Sequence, residues 1–327
     1  MLNININFPI FDLQQYLDGL GWLNSPKERV LRIEKPGEGN MNVVLRITTS
    51  ERSFILKQSR PYVQKYPQIA APLNRIQVEQ EFYKNIKGDG INPHIPKILG
   101  FSTSENLLML EDLGQCEDMT SLYKKRKIKD SKLEELVTIL AIIHETKDPV
   151  DFPANLEMRQ LNHQHIFILP FLKDNGFQLN DVQNGLQELS LPYKKDKQLK
   201  RIVNQIGNKY LSKGETLLHG DYYPGSWMTK GNRLYVIDPE FSFVGFAEFD
   251  LGVMAAHLIM ATMNQNYLDK VLKKYKGFSD TKLTSQIAGI EIIRRLIGLA
   301  QLPLERSIKE KDYLLKMAHK MILSWEK

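Results

Sequence analysis

Cysteine is almost absent from this chain of 327 residues, in which Cys116 is the only one. A single cysteine excludes a disulfide within the chain and a zinc site built from thiolates, and it favours a reducing compartment. Long apolar runs are also missing, because the longest, at residues 251–263, is interrupted by His257 and is too short to span a bilayer. Residues 1–17 lack the basic start and the apolar core of a signal peptide. We therefore predict a cytoplasmic protein with no membrane partner.

Strong charge of one sign is missing as well. The 44 Lys and Arg residues exceed the 38 Asp and Glu residues by only six. The densest basic run, at residues 124–127, lies beside Asp130, Glu134 and Glu135, which is typical of a solvated face. No nucleic-acid-binding motif accompanies it, so we predict no nucleic-acid partner. The content of hydrophobic residues, 42%, is that of a globular protein, and the length is sufficient for two lobes.

Strand patterns dominate the first third of the chain and helical patterns dominate the rest. Strands are predicted at residues 30–33, 42–48, 53–57, 97–101 and 107–110. Helices are predicted at residues 73–86, 131–145, 181–190, 197–212, 247–262, 265–275, 281–300 and 309–325. We therefore predict an α+β fold with a small β-rich lobe at residues 1–112 and a larger, mostly helical lobe at residues 113–327. A ligand would bind in the cleft between the lobes.

Two acidic clusters in the C-terminal half carry the strongest chemical signal. One reads HGD and ends at Asp221, and the other reads DPE and contains Asp238 and Glu240. A turn at residues 231–232 and an apolar strand at residues 234–237 lie between them. A hairpin there would bring the two clusters to the same end of the hairpin. One carboxylate could then orient or deprotonate a hydroxyl, while the other two hold a divalent metal on a phosphate. Mg²⁺ suits such hard oxygen ligands, and we predict phosphoryl transfer.

The neighbours of these clusters have supporting roles in this interpretation. His219 is better explained as a packed, hydrogen-bonded support than as a base. Asp250 could brace the catalytic loop from the following helix, or it could simply cap that helix.

A glycine-containing loop lies between the first two predicted strands, at Gly37, Gly39 and Asn40. Glycines there let the backbone approach phosphates, and freed N–H groups can point at them. A plain hairpin turn is the commoner meaning of such a loop, so its position near a strand lysine decides the interpretation.

That lysine is Lys57, at the end of the third predicted strand. A lysine there can reach the α- and β-phosphates of a nucleotide, and Glu79 on the next helix could pair with it. Glu81 is the rival, and helical spacing turns it to a different face. If this pair stood alone, an exposed strand lysine and a surface helix glutamate would be the favoured interpretation.

The strand at residues 107–110 runs into the junction between the predicted lobes. Backbone groups of Glu111 and Leu113 could read an adenine edge there. Met109 and the flanking leucines would sandwich the ring. Only the neighbouring motifs favour this function over an ordinary strand end.

With these residues placed, the chain resembles the aminoglycoside-phosphotransferase-like kinases, and among them the 5-methylthioribose kinases. The family's catalytic loop, HGDLHTGS, is similar to HGDYYPGS at residues 219–226, and Ser226 matches where the wider superfamily mostly has Asn. Its metal motif, IDPEFAFYGPMGFD, is similar to IDPEFSFVGFAEFD at residues 237–250. The family motifs GDGNLN, KQALPYV, RARIE and IRRIVGLA resemble residues 37–42, 57–63, 75–79 and 293–300. The RARIE motif selects Glu79 over Glu81 as the partner of Lys57.

The resemblance implies a two-lobed, protein-kinase-like fold and phosphorylation of a sugar hydroxyl with ATP and Mg²⁺. Asp221 would be the catalytic base, and Asp238, Glu240 and Ser226 would hold the metal. Arg294 and Arg295 would line the substrate site, although a basic pair on a helix is usually a solvated face. The family also implies a homodimer.

Two departures from the family concern the acceptor pocket. The family's GESWP-like pattern, whose Trp closes over the sugar, has no counterpart at residues 64–72, and Tyr223 stands where the family has His. Tyr223 would therefore line the site of the small hydroxyl acceptor. A kinase of another hydroxyl compound and a non-catalytic, nucleotide-binding kinase fold are the alternatives.

Overall fold

A computed structural model describes residues 2–37, 39, 41–86, 90–147, 149 and 151–325. The elements of its N-terminal part are α1 (Ile10–Gly19), β1 (Val30–Glu34), β2 (Val43–Thr49), β3 (Ser53–Gln58), β4 (Tyr62–Val63), β5 (Tyr66–Ala70), α2 (Arg75–Asn85), β6 (Ile98–Ser102) and β7 (Leu107–Glu111). Five of the strands form one antiparallel sheet in the order β1-β2-β3-β7-β6. All five strands predicted for this region and the predicted helix α2 are confirmed.

The two faces of this sheet bury different sets of side chains, because successive residues of a strand point to opposite sides. One face, with Phe54 and Met109, packs under α1 in a small hydrophobic cluster. From the other face, Leu108 and Leu110 join the large core that α2 shares with the helical part. The same alternation places Lys57 on the face away from the small cluster, toward the rest of the molecule.

Helices dominate the C-terminal part. Its elements are β8 (Glu117–Asp118), α3 (Ser121–Lys125), α4 (Asp130–Glu145), α5 (Leu156–His163), α6 (Leu186–Lys195), α7 (Lys197–Leu211), β9 (Thr216–Leu218), β10 (Trp227–Lys230), β11 (Arg233–Val236), β12 (Phe243–Gly245), α8 (Ala247–Thr262), α9 (Tyr267–Lys274), α10 (Thr281–Ile297) and α11 (Ile308–Leu323). Helices α8 and α10 pack against each other at the centre. Both are buried on nearly every side. Accordingly, the sequence of α8 is apolar around most of the helix, and the buried charged residues of α10 are paired with each other.

Side-chain caps fix the starts of three of these helices. Asp196 accepts the N–H of Leu199 at the start of α7, and Asp280 does the same for two N–H groups of α10. Ser307 and Glu310 form a capping box at the start of α11.

Some elements differ from the prediction. Helix α1 and the β4–β5 hairpin were not predicted, because α1 buries only Leu13 and Leu17, and most of β5 is exposed. Helix α6 begins at Leu186, five residues beyond the predicted start at 181, after a 3₁₀ turn at Leu179–Asp181. None of the helices in the described part of the chain is both long and apolar enough to cross a membrane.

Two small antiparallel sheets carry the acidic clusters. Strand β9 pairs with β12, and the hairpin of β10 and β11 pairs with β8. Gly231 has a positive φ of 59° at the hairpin turn, as the sequence predicted for a turn there. The loop of Asp221 leads into β10 and Asp238 follows β11, so the two loops lie at the open end of one hairpin. A hydrogen bond of 3.0 Å from the N–H of Ile237 to the carbonyl of Ser226 joins them.

Candidate active site

The loop that carries Asp221 is held by a carboxylate of α8. Asp250 accepts the N–H of His219 at 2.7 Å and the N–H of Gly220 at 3.0 Å. Gly220 has φ 83°, and a Cβ there would lie 2.2 Å from the carbonyl oxygen of Phe241, so only glycine fits. Asp250 therefore braces this loop. It does not cap α8, because it lies inside the first turn of that helix and the N-cap position is Phe246, whose side chain makes no capping hydrogen bond.

His219 joins the loop to the end of β11. Its ring is fully buried, its Nε2 lies 3.0 Å from the carbonyl of Ile237, and its Nδ1 lies 3.3 Å from the N–H of Asp221. These partners require a proton on Nε2 and a lone pair on Nδ1, which is the neutral ring. Burial lowers the pKa of His219 and favours the same form. This geometry fits a supporting role.

Asp221 lies at the centre of the loop with its carboxylate partly exposed. Burial raises its pKa to about 6, although Arg295 and Arg294 oppose the shift. Nη2 of Arg295 lies 3.7 Å from Oδ1 of Asp221, beyond hydrogen-bond distance. The hydroxyl of Ser226 donates to the main-chain carbonyl of Asp221 at 2.9 Å and fixes the turn.

Lys57 connects the sheet to the second acidic cluster. Its Nζ lies 2.8 Å and 2.7 Å from the two carboxylate oxygens of Glu79, and 2.5 Å from Oδ1 of Asp238. Burial lowers the pKa of Lys57, but Asp238 and Glu79 outweigh it, and the pKa is raised above its usual value. Glu81 pairs instead with Lys84 at 2.9 Å. The predicted choice of Glu79 over Glu81 as the partner of Lys57 is confirmed.

The second acidic cluster has one accessible and one enclosed carboxylate. Asp238 has φ 63°, a left-handed conformation that Asp tolerates better than most residues, and its side chain is 46% exposed. Glu240 is buried, and its Oε2 accepts from Nδ2 of Asn42 at 2.9 Å and lies 3.3 Å from Nε of Arg75. Burial raises the pKa of Glu240 to about 8, although Lys57 and Arg75 oppose the shift.

Asn42 and Arg75 have roles in the site that were not predicted from the sequence. Arg75 is fully buried, donates to Oδ1 of Asn42 at 2.9 Å, and donates to four main-chain carbonyls of the preceding residues. Together they hold Glu240 from the N-terminal part. Both residues lie in the stretches that resemble the GDGNLN and RARIE motifs, which is the signal that could have identified them.

Two cavities meet at the Lys57–Asp238 ion pair. The predicted site residues that line the first, of about 270 Å³, are Gly37, Gly39, Lys57, Glu79, Glu111, Leu113 and Asp238. Those that line the second, of about 290 Å³, are Gly39, Lys57, Asp221, Tyr223, Ser226, Asp238, Glu240 and Arg295. The structure thus brings most of the predicted residues to two joined cavities, between the sheet and the helical part. Asp118, Thr120 and Gln301 also line the second cavity and were not predicted.

Two predicted site residues do not line the cavities and one is not described. Met109 does not reach the first cavity, because side chains alternate along a strand and that of Met109 points into the small hydrophobic cluster under α1. Leu110 lines the cavity instead. Arg294 is not among the residues that line the second cavity, because its guanidinium is turned onto Glu291 at 2.8 Å. Both arginines of the pair are buried, so they are not a solvated face. Asn40 lies outside the described residues.

The oxygen ligands near Asp238 suit a magnesium ion. Asp238, Glu240 and Ser226 line the same cavity and offer two carboxylates and a hydroxyl. In the described ranges, no group of three or more histidine, cysteine and acidic side chains could hold a metal ion. A site with only two carboxylates fits Mg²⁺, which keeps several waters and also binds substrate phosphates. A cation would also favour the ionised form of the buried Glu240.

The sheet, the helical part and the two joined cavities define a protein-kinase-like fold of the α+β class. The sequence profile of the phosphotransferase enzyme family matches residues 32–283. This is well over half of the chain, and the chain belongs to the phosphotransferase enzyme family.

Individual relatives agree with this assignment. The methylthioribose kinase of Exiguobacterium sibiricum is 27% identical over 344 aligned residues, which cover 90% of this chain and 87% of the relative. The crystal structure of LicA, a choline kinase of Streptococcus pneumoniae, in complex with AMP has a TM-score of 0.55 at 16% identity and covers 97% of this chain and 98% of LicA. The spectinomycin phosphotransferase APH(9)-Ia in complex with ADP and spectinomycin has a TM-score of 0.53 at 13% identity, with 97% and 98% coverage. The two solved structures confirm the predicted fold.

Proposed function

We propose that this protein transfers the γ-phosphoryl group of ATP to a hydroxyl of a small sugar-like acceptor, methylthioribose or a close analogue. The observation that carries the proposal is the meeting of the two cavities at Lys57 and Asp238, with Asp221 on the wall of the second. A nucleotide in the first cavity would place its terminal phosphate at this junction. An acceptor in the second would place a hydroxyl between that phosphate and Asp221.

Each part of the site has a separate task in the transfer. Lys57, held by Glu79, binds the α- and β-phosphates, and backbone groups near Gly37 and Gly39 approach the phosphate chain. Asp238, Glu240 and Ser226 would hold Mg²⁺, which when bound neutralises charge on the phosphates.

Asp221 orients the acceptor hydroxyl and takes its proton. The hydroxyl oxygen then forms a bond to the γ-phosphorus, the bond from that phosphorus to the β,γ-bridging oxygen breaks, and ADP leaves. Asp250 and His219 keep the loop of Asp221 in place during the transfer.

The adenine base would lie against the segment that follows β7. Leu110, Glu111 and Leu113 line the first cavity there, and Leu110 takes the packing role that Met109 was predicted to have. The LicA structure contains AMP and the spectinomycin phosphotransferase structure contains ADP, which supports ATP as the donor.

Methylthioribose is the acceptor named for the curated relative from Exiguobacterium sibiricum. The side chains of Asp118, Thr120, Gln301 and Arg295 on the second cavity supply hydrogen bonds for a compound with several hydroxyls. These polar groups support a sugar or a sugar derivative as the acceptor.

A different hydroxyl compound, such as an aminoglycoside or another sugar derivative, is the second candidate. It is favoured by Lys65, which lines the second cavity from the β4–β5 hairpin, in the stretch where the resembling family has a Trp. Tyr223, in place of the family's His, alters the same cavity. The ammonium group of Lys65 favours a more polar acceptor than a methylthio sugar.

An acceptor panel would separate the two candidates. Purified protein would be incubated with Mg²⁺, ATP and methylthioribose, other sugars or aminoglycosides, and ADP formation would be measured. The highest kcat/KM on methylthioribose would support the first candidate, and the highest on another compound the second. Stabilisation by Mg²⁺ and ATP in a thermal-shift assay, with no turnover on any acceptor, would instead favour a non-catalytic nucleotide-binding fold.

Asp238→Ala tests the metal assignment separately. We expect it to abolish the Mg²⁺-dependent part of ATP binding, measured by calorimetry with and without the metal. Asp269→Ala removes an exposed carboxylate on α9 and is the matched control, which should bind as the unaltered protein does. Equal Mg²⁺-dependent binding by Asp238→Ala would contradict the assignment.

The homodimer, the cytoplasmic location and the boundary between residues 112 and 113 remain predictions from the sequence. Light scattering of the purified protein would check the dimer.

A further inference from the structure

A buried carboxylate lies beside the paired arginines of α10. Glu291 is 1% exposed, and Arg294 and Arg295 follow it by three and four residues on the same helical face. Its Oε1 accepts from Nε of Arg295 at 2.6 Å, and its Oε2 accepts from Nη1 of Arg294 at 2.8 Å. Burial raises the pKa of Glu291, but the two arginines outweigh it and hold the pKa well below its usual range. Glu291 is therefore an anion that the two arginines share.

His257 and Tyr123 hold Glu291 from another side. Nε2 of His257 lies 3.1 Å from Oε1 of Glu291, and Nδ1 lies 2.6 Å from the hydroxyl of Tyr123. Burial lowers the pKa of His257 to about 4, so the ring is neutral near pH 7. A neutral ring satisfies both contacts when Nε2 donates to Glu291 and Nδ1 accepts from Tyr123. The three side chains form one hydrogen-bonded chain from α3 through α8 to α10.

Arg295 lies between two carboxylates and is closer to one than to the other. Its Nε is bound to Glu291, whereas its Nη2 is 3.7 Å from Oδ1 of Asp221. Its guanidinium lies over the ring of Tyr223, 5.1 Å from the ring centre, and lines the second cavity. The ring of Tyr223 also packs on His257, with the ring centres 5.1 Å apart. Glu291 thus holds Arg295 more tightly than Asp221 does.

We propose that Glu291 is a positioning residue of the acceptor site, an inference that rests on the proposed function. Its charge holds Arg295 toward α10, so that the guanidinium meets the acceptor and does not form a hydrogen-bonded ion pair with Asp221. Ion pairs of arginine with carboxylate are strong when they are hydrogen-bonded, and one here would occupy the oxygens that Asp221 needs for the acceptor hydroxyl. His257 and Tyr123 fix Glu291 in turn.

Glu291→Gln tests the proposal because it keeps the shape of the side chain and removes the charge. We expect the KM for the best acceptor of the panel to rise and kcat to fall, each about tenfold, while the KM for ATP changes less than about twofold. Glu28→Gln is the matched control, because Glu28 is also fully buried and paired with an arginine, Arg52 at 3.1 Å, but lines neither cavity. It should leave the acceptor KM unchanged.

A double-mutant cycle distinguishes positioning from a general structural role. If Glu291 acts through Arg295, then Glu291→Gln should have little further effect on the acceptor KM once Arg295→Ala is present. Additive effects would overturn the proposal. Tyr123→Phe removes only the outermost hydrogen bond of the chain and should raise the acceptor KM about threefold, which gives a milder variant if Glu291→Gln folds poorly.

A crystal structure of Glu291→Gln tests the geometry without any acceptor. We expect Nη2 of Arg295 to move to within about 3.2 Å of Asp221. An unchanged separation would overturn the positioning role even if the acceptor panel succeeds. If the panel fails but the arginine moves, the proposed function is wrong and the competition between Glu291 and Asp221 for Arg295 stands.

Discussion

The two cavities of the cleft are built in different ways. The first is lined mainly by consecutive strands of one sheet, the loop that joins them and the segment after β7. The second collects Lys65 from a short hairpin, Asp221 and Glu240 from two loops, Arg295 from α10 and Gln301 from the segment beyond it. The first therefore depends mainly on one sheet, which Gly225, Met228, Ile237 and Asp238 complete from the C-terminal part. The second depends on how several distant elements pack together.

The two cavities also differ in how their charged residues are held in place. In the first cavity, Lys57 and Glu79 form an ion pair within the same part of the fold. In the second, Arg295 is set by Glu291, and Glu240 is set by Asn42 and Arg75. A substitution in the second cavity should therefore alter the acceptor kinetics through neighbours that do not contact the acceptor.

The largest effect is expected for Asp221→Ala. Loss of the proton acceptor should reduce kcat about a thousandfold, while ATP binding changes little because the first cavity does not include Asp221. Steady-state turnover on the best acceptor and calorimetric ATP titration would measure both. Turnover close to that of the unaltered protein would contradict the assigned base, and loss of ATP binding would contradict the separation of the two cavities.

Lys57→Met should have the next largest effect, and we expect it to act on the first cavity. It leaves Glu79 buried without its cation, and breaking a buried ion pair costs about 3–5 kcal/mol of unfolding free energy. We expect a lower midpoint in chemical denaturation and an ATP KM raised about tenfold or more.

Lys84→Met is the control for this substitution. Lys84 pairs with Glu81 at an exposed site, where ion pairs contribute about 1 kcal/mol or less. Equal losses of stability for the two variants would contradict the distinction between the buried and the exposed pair.

Gly225→Ala should act on the second cavity through Tyr223. A Cβ at Gly225 would lie 2.3 Å from the hydroxyl oxygen of Tyr223, so the ring must move. We expect the acceptor KM to rise about fivefold and the ATP KM to change less. Gly19→Ala in α1 meets no atom within 4 Å and should leave both constants unchanged. An acceptor KM that does not respond to Gly225→Ala would remove Tyr223 from the acceptor site.

The smallest effects are expected at β7, where two neighbouring residues face opposite sides. Met109→Leu nearly conserves volume in the small core and should leave the ATP KM unchanged. Leu110→Ala widens the first cavity and should raise the ATP KM about threefold. The reverse order of effects, measured by ATP titration, would show that Met109 meets the nucleotide after all.

Local patterns predicted much of the fold. The alternating runs gave the five strands of the sheet, and the helical periods gave α2, α4 and the long helices from α7 onward, because side-chain periodicity follows from backbone geometry. Helix α1 has no side-chain cap and the β4–β5 hairpin is short and exposed, so neither produces a strong pattern. Contact with the sheet sets the position of α1.

The candidate site was predictable where its residues share a motif or a strand. Asp221 and Asp238 were placed together by the hairpin between them, and Glu79 was selected as the partner of Lys57. Glu291 gave no such signal. Its importance comes from burial between two arginines and a histidine that lies 34 residues earlier in the chain.

The sequence by itself determined the chemical groups of the site: the HGD loop, the DPE cluster, a strand lysine and a helix glutamate. Each lies on a local element that its own residues specify. Only the tertiary structure decided that Arg295 and not Arg294 reaches the second cavity. It also decided that Asn42 meets Glu240 across 198 positions of the chain. The physical reason is that backbone preferences act over a few residues. Contacts between distant side chains form only when whole elements pack, and burial then sets which charges are paired.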